Sequence, residues 1–166
     1  VHLGPGAFFR AFIAPYTDEA MGAGSANGED WGIIAVSLKS PTAREALVPQ
    51  GCLYTALERG PDGDTSRQVK AITDVLVAPE DPLAVLDTMA RPEIRVVSLT
   101  ITEKGYCHNP RNGSLRTDHP DVAHDIATSD APRTALGFLV LALSRRREAG
   151  IPPFTVLCCD NLPANG

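Results

Sequence analysis

The run Trp31-Gly32-Ile33-Ile34-Ala35-Val36-Ser37-Leu38 is apolar at nearly every position, and it constrains this chain more than any other stretch. A half-exposed strand would alternate and an amphipathic helix would repeat every three or four residues, so the run reads as a strand buried on both faces. Helices packed on both sides of a sheet provide that cover. Asp74–Ala78, Ile94–Thr102 and Phe154–Cys159 read as further strands, the second of them buried like the first. Helical patterns lie between them. The first, Arg10–Met21, ends in the breaker Gly22-Ala23-Gly24, with Pro15 expected to kink or shorten it. Gly24 to Asp30 reads as a small polar loop, and Thr42–Val48 as a short helix. Asp81 followed by Pro82 makes a helix start that puts Leu83, Leu86 and Met89 or Ala90 on one face. Pro120–Ala127 and Pro132–Glu148 complete the set, the latter so apolar over Leu136–Leu143 that it is expected to lie deep against the sheet. Leu53–Arg59 and Gln68–Ile72, around the turn cluster Gly60–Asp64, suggest a small antiparallel excursion. The fold class expected is a doubly wound, mostly parallel α/β sheet of Rossmann type carrying that excursion.

The opening, Val1-His2-Leu3-Gly4-Pro5-Gly6-Ala7-Phe8-Phe9-Arg10-Ala11, reads as a short strand, a glycine turn and a helix beginning near Phe8. Such a turn aims backbone N–H groups and the positive end of a helix at one point, which suits a phosphate. Gly4 would permit the turn, and Gly6 would let an anion approach the backbone. The third glycine of the usual dinucleotide fingerprint is replaced by Phe9. Taken alone, the motif reads equally well as an ordinary Pro-Gly turn. In doubly wound sheets, however, ligands bind beyond the carboxyl ends of the strands. Three polar clusters fall there: Gly4 to Arg10, Thr102 to Tyr106, and Asp160 to Asn165.

Composition narrows the classes. With 166 residues, 43 % hydrophobic, the chain is long enough for one well-buried domain. A formal net charge of −5 argues against nucleic acid, and Arg145-Arg146-Arg147 suits the negative end of its helix better than a polyanion. No apolar run approaches the roughly 18 residues of a membrane span, and no basic-then-apolar leader precedes the first strand. The first residue is not Met, so the natural N-terminus is expected to have been trimmed or left out. Cys52, Cys107, Cys158 and Cys159 show no paired spacing and read as small core residues of a reduced, cytoplasmic protein. His119 and His124 are not spaced to share a helical face, and neither they nor His2 and His108 suggest a metal site.

The residues also carry a resemblance. Gly4-Pro5-Gly6-Ala7-Phe8-Phe9-Arg10-Ala11, Tyr16-Thr17-Asp18, Ser98 to Tyr106 and Phe154 to Gly166 resemble the N-terminal domain of the mannitol dehydrogenase family, the polyol-specific long-chain dehydrogenases. The likeness covers essentially the whole chain. It implies metal-independent oxidation of a secondary alcohol of a polyol or aldonate, with NAD as cofactor and NADP as the alternative; fructuronate reductase of the same family is a second reading. A nucleotide-binding module without catalysis is the reading from another class. The cofactor candidates are Gly4, Pro5, Gly6, Ala7, Phe8 and Arg10, with Lys39, Ser40 and Thr102 at later strand ends. Asn161 matches an asparagine of the oxyanion-stabilising site, and Glu103 a glutamate linked to proton relay; these are the catalytic candidates. Without the family, Asn161 reads as a turn cap and Glu103 beside Lys104 as a solvated pair. Asp160 reads as a turn or capping residue rather than a catalyst. The resemblance further implies a helical substrate domain beyond Gly166, holding the general-base lysine. Two departures stand out. Phe9 and Phe12 replace histidines common in the family, and Lys39-Ser40-Pro41-Thr42 lacks the acid that selects NAD.

Overall fold

The computed structural model describes residues 1–23, 31–128, 130–162 and 165. Five parallel strands form the main sheet: β1 (His2–Leu3), β2 (Ile33–Ser37), β5 (Ile72–Val77), β6 (Val96–Leu99) and β7 (Thr155–Cys158). Their spatial order is β5-β2-β1-β6-β7, so the shortest strand lies at the centre. There Leu3 pairs with Val36 on one side and Leu99 on the other. The chain builds outward from β1 through β2 to β5, then returns to the opposite side of β1 for β6. The reversal between β1 and β6 opens a crevice at their carboxyl ends.

The strand alternation supplies both faces. Leu3, Val36, Val97 and Leu99 pack with α3 (Pro82–Ala90) and α6 (Ala135–Glu148), where Val85, Leu86, Met89 and Phe138 are buried. Ile33, Ala35, Ile72 and Val75 pack on the other face with Phe9, Ala14 and Leu47. Those last three come from a helical segment that becomes α1 (Ala14–Gly22), and from α2 (Thr42–Leu47).

Several boundaries differ from the sequence expectation, each for a local reason. The antiparallel excursion is a separate two-stranded sheet, β3 (Tyr54–Gly60) against β4 (Gly63–Val69), and Ile72 belongs instead to the main sheet. Its strands pair up to Gly60 and Gly63, so the turn is tighter than the Gly60–Asp64 cluster suggested. The buried strand expected over Ile94–Thr102 covers only Val96–Leu99, because Thr102 starts a helical turn, α4 (Thr102–Gly105). In α3, Val85 takes the inward position expected of Leu83, which is exposed. α5 (Pro120–Ala127) lies where expected. α6 begins at Ala135 because Thr134 caps it, its Oγ1 accepting from Gly137 N at 2.9 Å. Val140 faces solvent, so α6 is not enclosed all round.

Arg146 is a larger correction. It is buried rather than displayed with its neighbours, and its guanidinium donates to the carbonyls of Met89, Arg91 and Pro152 at 3.2, 2.6 and 2.7 Å. It thereby occupies the carbonyl end of α3 from the neighbouring helix. Of the cysteines, Cys52 alone is a core residue; Cys107, Cys158 and Cys159 are half-buried, and all four are free thiols. No helix among the described residues is long and apolar enough to cross a membrane. The expected Gly24–Asp30 loop, Pro163 and Ala164 of the last polar cluster, and Gly166 lie outside the described residues.

Candidate functional site

The glycine turn follows directly from the centre of the sheet. Gly4 N donates to Val36 O and Thr100 N to Leu3 O, both at 3.0 Å, so the turn is tied to both neighbouring strands. Gly4 has φ +92°, and a Cβ there would run into the Thr100 carbonyl oxygen. Only glycine meets both conditions. Gly6 N closes back on Gly4 O at 2.7 Å, and helix begins at Ala7. Among the described residues, a Cβ on Gly6 would meet nothing nearer than Gly4 O at 4.0 Å. The space in front of Gly6 is therefore open to a ligand. The N–H groups of Ala7, Phe8 and Phe9 belong to a first helical turn, where no carbonyl of the same helix can receive them.

That helix starts unusually. Phe9–Ile13 is π-helical, with Ala14 N bonding to Phe9 O. In an α-helix the same N–H would go to Arg10 O; the next donor, residue 15, is a proline with none to give. The hydroxyl of Tyr54, from the hairpin, donates to Arg10 O at 2.7 Å instead. Pro15, expected to kink or shorten the helix, instead follows a π-helical segment, and the helix continues through it to Gly22. Phe9 is fully buried and lies flat on the His2 ring, centroids 3.7 Å apart and planes 11° from parallel. Where a third glycine would let helix and sheet approach, an aromatic pair fills the gap.

A cleft of about 1030 Å³ opens beside the turn. Gly4, Pro5, Gly6, Arg10, Lys39, Ser40 and Thr102 line it. Of the remaining cofactor candidates, Ala7 is exposed at the helix start, and Phe8 faces solvent against Phe12, outside the lining. One lobe lies past β2, where Ala43, Ala46, Pro79 and Pro82 add small apolar walls. The other lies past β6, where Lys104, Cys107, His119, His124 and Thr134 add to the lining. In the sequence, His119 and His124 stand out only as metal-ligand candidates to be set aside, and Thr134 reads as part of a helix. His119 Nδ1 accepts from Asp121 N at 3.3 Å as the cap of α5, and His124 Nε2 donates to Ala131 O at 3.0 Å.

Glu103 and Asn161 are exposed, and neither lines the cleft, although Thr102 and Lys104 beside Glu103 both do. Among the described residues no ion pair joins Glu103 to Lys104. Among the described residues, Asn165 bonds back to the chain after β7, donating from Nδ2 to Asp160 O at 2.7 Å. Asp160 is a capping residue. Its carboxylate accepts from Ile101 N, Thr102 N and the Tyr106 hydroxyl at 3.0, 2.8 and 2.8 Å. That grip supports Thr102, whose φ is +64°. Burial first, then hydrogen bonds to Cys158 and Asp160, push the Tyr106 hydroxyl well above its ordinary pKa.

His2 was not foreseen as part of the site. It is fully buried under the turn, with Nδ1 2.8 Å from Ser98 Oγ and Nε2 2.8 Å from Thr100 Oγ1. Burial lowers its pKa to about 3, against a weaker upward pull from the Gly4 carbonyl.

Comparison with known proteins agrees with this geometry. The family model described as the mannitol dehydrogenase Rossmann domain matches residues 1–166. A mannitol 2-dehydrogenase of Pyrenophora tritici-repentis is 46 % identical over 168 residues, covering 100 % of this chain and 29 % of that protein. An uncharacterized oxidoreductase of Escherichia coli, YeiQ, is 48 % identical over all of this chain and 34 % of its own length. Among solved structures, the Pseudomonas fluorescens mannitol 2-dehydrogenase ternary complex with NAD and D-mannitol superposes with a TM-score of 0.94 at 46 % identity, covering 99 % of this chain and 34 % of that one. The chain thus spans about a third of the length of the relatives it matches. By the match along its whole length, it belongs to the mannitol dehydrogenase family, as a Rossmann domain.

Proposed function

We propose that this chain is the NAD-binding part of a dehydrogenase that interconverts a secondary alcohol of a polyol or aldonate with its ketone. The observation that carries the reading is the turn itself: Gly4 excludes a side chain, Gly6 faces open space, and a helix N-terminus follows at the sheet's reversal point. Those features fit a pyrophosphate, with the amides beyond Gly6 and the Arg10 side chain meeting its charge. The lobe past β2, with Lys39 and Ser40, suits the adenosine half, and the lobe past β6, with Thr102, the nicotinamide half. The cofactor, when bound, accepts a hydride from the alcohol carbon. The part proposed for Asn161 is to donate from its amide to the alkoxide oxygen that develops as the alcohol proton is removed, before the hydride leaves. Glu103 is proposed to pass the alcohol's proton onward. Both are exposed and lie outside the cleft wall.

The relatives named for mannitol support a polyol substrate, and the length of those proteins supports a further domain carrying the base and most substrate contacts. A paired assay tests the reading. Calorimetry should show NADH binding to the chain alone, while NADH formation with mannitol, arabinitol or mannonate should stay at background. Absence of NADH binding would remove the reading. Sustained turnover would place the base within these residues, and a response to mannonate alone in the whole enzyme would favour the fructuronate reductase reading.

A further inference from the structure

Among the described residues, His2 is an ionisable side chain with no exposed surface, and cofactor binding gives it no direct task. We infer that His2 is a positioning residue for the phosphate turn, acting as a neutral Nε2–H tautomer in a one-way series of hydrogen bonds that ends on the Gly4 carbonyl. The inference rests on the NAD reading above.

Donor and acceptor chemistry fixes the direction. A carbonyl only accepts, so the single hydroxyl hydrogen of Thr100 is committed to Gly4 O at 2.7 Å. Towards His2 Nε2, 2.8 Å away, the same oxygen can then only accept, and Nε2 must carry the hydrogen. The longer approach of Nε2 to Gly4 O, 3.3 Å, requires the same assignment. A neutral ring protonated at Nε2 has a bare Nδ1, which accepts from Ser98 Oγ at 2.8 Å. The series runs Ser98 to His2 to Thr100 to Gly4, each hydrogen used once. Register makes it possible: β1 pairs His2 with Ser98, and Thr100 follows on the same side of the sheet.

The end of the series is the peptide that matters for binding. Gly4 O also receives Gly6 N–H at 2.7 Å, so the two bonds together set the plane of the carbonyl on which the turn closes. Phe9, stacked on the same imidazole, stands in the first helical turn. One ring therefore touches the strand, the turn and the helix start, and sets the spacing among them. Imidazole meets all these demands: it is flat on one side, a donor at one edge and an acceptor at the other.

The test measures NADH affinity by calorimetry for the wild-type chain, His2→Leu, Thr100→Val, the double variant and His2→Gln, with unfolding temperatures alongside. Each of the first two substitutions should weaken NADH about tenfold, the scale of one buried hydrogen bond. The double variant should be no worse than the weaker single variant within about twofold, because links in series fail together. His2→Gln, which keeps a donor near the Nε2 position, should recover most of the loss. Unchanged affinity in folded variants, losses that multiply, or failure of Gln to rescue would overturn the inference. Should His2→Leu fail to fold, the near-isosteric Thr100→Val carries the same expectation. Nitrogen chemical shifts of the His2 ring at pH 7 give a ligand-independent check: protonated Nε2 with bare Nδ1 is expected, and the reverse tautomer or a doubly protonated ring overturns it. Absence of wild-type NADH binding would instead strike the functional reading beneath.

Discussion

Gly4 and Gly6 sit two residues apart in one motif, yet the chain itself requires glycine only at the first. At Gly4 the chain itself forbids a side chain, through φ +92° and the Thr100 carbonyl. Gly4→Ala should therefore cost about 2–4 kcal/mol of stability in urea unfolding, with or without NADH. At Gly6 only a ligand would object. Gly6→Val should keep the circular dichroism and unfolding midpoint of the wild type while NADH affinity falls more than tenfold; equal affinity would detach Gly6 from the cofactor. His2 gives a pH dependence. Its pKa is about 3 when folded and near 6.5 in the open chain, so between those values the unfolded state holds the extra proton. The stability that comes from keeping His2 neutral is full above pH 6.5 and declines as pH falls, approaching roughly 1.4 kcal/mol per unit below pH 6. Urea unfolding of wild type and His2→Gln between pH 7 and 5 should show the wild type losing more; parallel curves would place the titration elsewhere. The turn was legible in the sequence because its glycines are neighbours. The histidine was not, since Ser98 and Thr100 reach it only through the pairing of β1 with β6.

At the scale of elements, continuous apolar runs located β2, β6 and β7, but only β2 is buried on nearly every residue; β6 is half-buried at Val96 and Ser98, and β7 is largely exposed at the sheet edge. Asp81-Pro82 and Pro120 marked helix starts that the structure keeps. What failed to show was polar. β4 carries Asp64, Thr65, Ser66, Arg67 and Gln68, all exposed, so no apolar alternation announces it; only its pairing with β3 defines it. α4 was hidden because its four residues depend on Asp160, contributed from beyond β7. Arg146 was hidden between two arginines of the same type. Its three carbonyl partners and its place 5.4 Å from the Phe154 ring make it the link between the ends of α3 and α6. Arg146→Met should lower unfolding stability by about 3 kcal/mol, because three buried carbonyls lose a charged donor. Arg147→Met should stay within about 0.5 kcal/mol. Similar losses for the two would mean that the helix end, and not the buried contacts, sets the stability.

For the molecule as a whole, the cleft is chemically lopsided at the end of β2. Residues Ser37 to Thr42 include no carboxylate, while Lys39 lines the cleft as a point charge. Nothing on that stretch would repel a 2′-phosphate, so the dissociation constants of NADH and NADPH should differ by less than about a hundredfold, or roughly 2.7 kcal/mol. A larger preference for NADH in fluorescence titration would assign the selection to a carboxylate elsewhere. The position of β1 also bears on how the molecule is made. Its two residues occupy the middle of the sheet, yet they are the first of these strands to leave the ribosome. Leu3 finds one partner at Val36 and the other only at Leu99, so the central seam cannot close until more than half of this segment has been synthesised. Long-range parallel pairing of this kind is slow to form. Until β6 arrives, the side of β1 away from β2 is an open strand edge, which leaves the nascent segment exposed to edge pairing and aggregation at that stage.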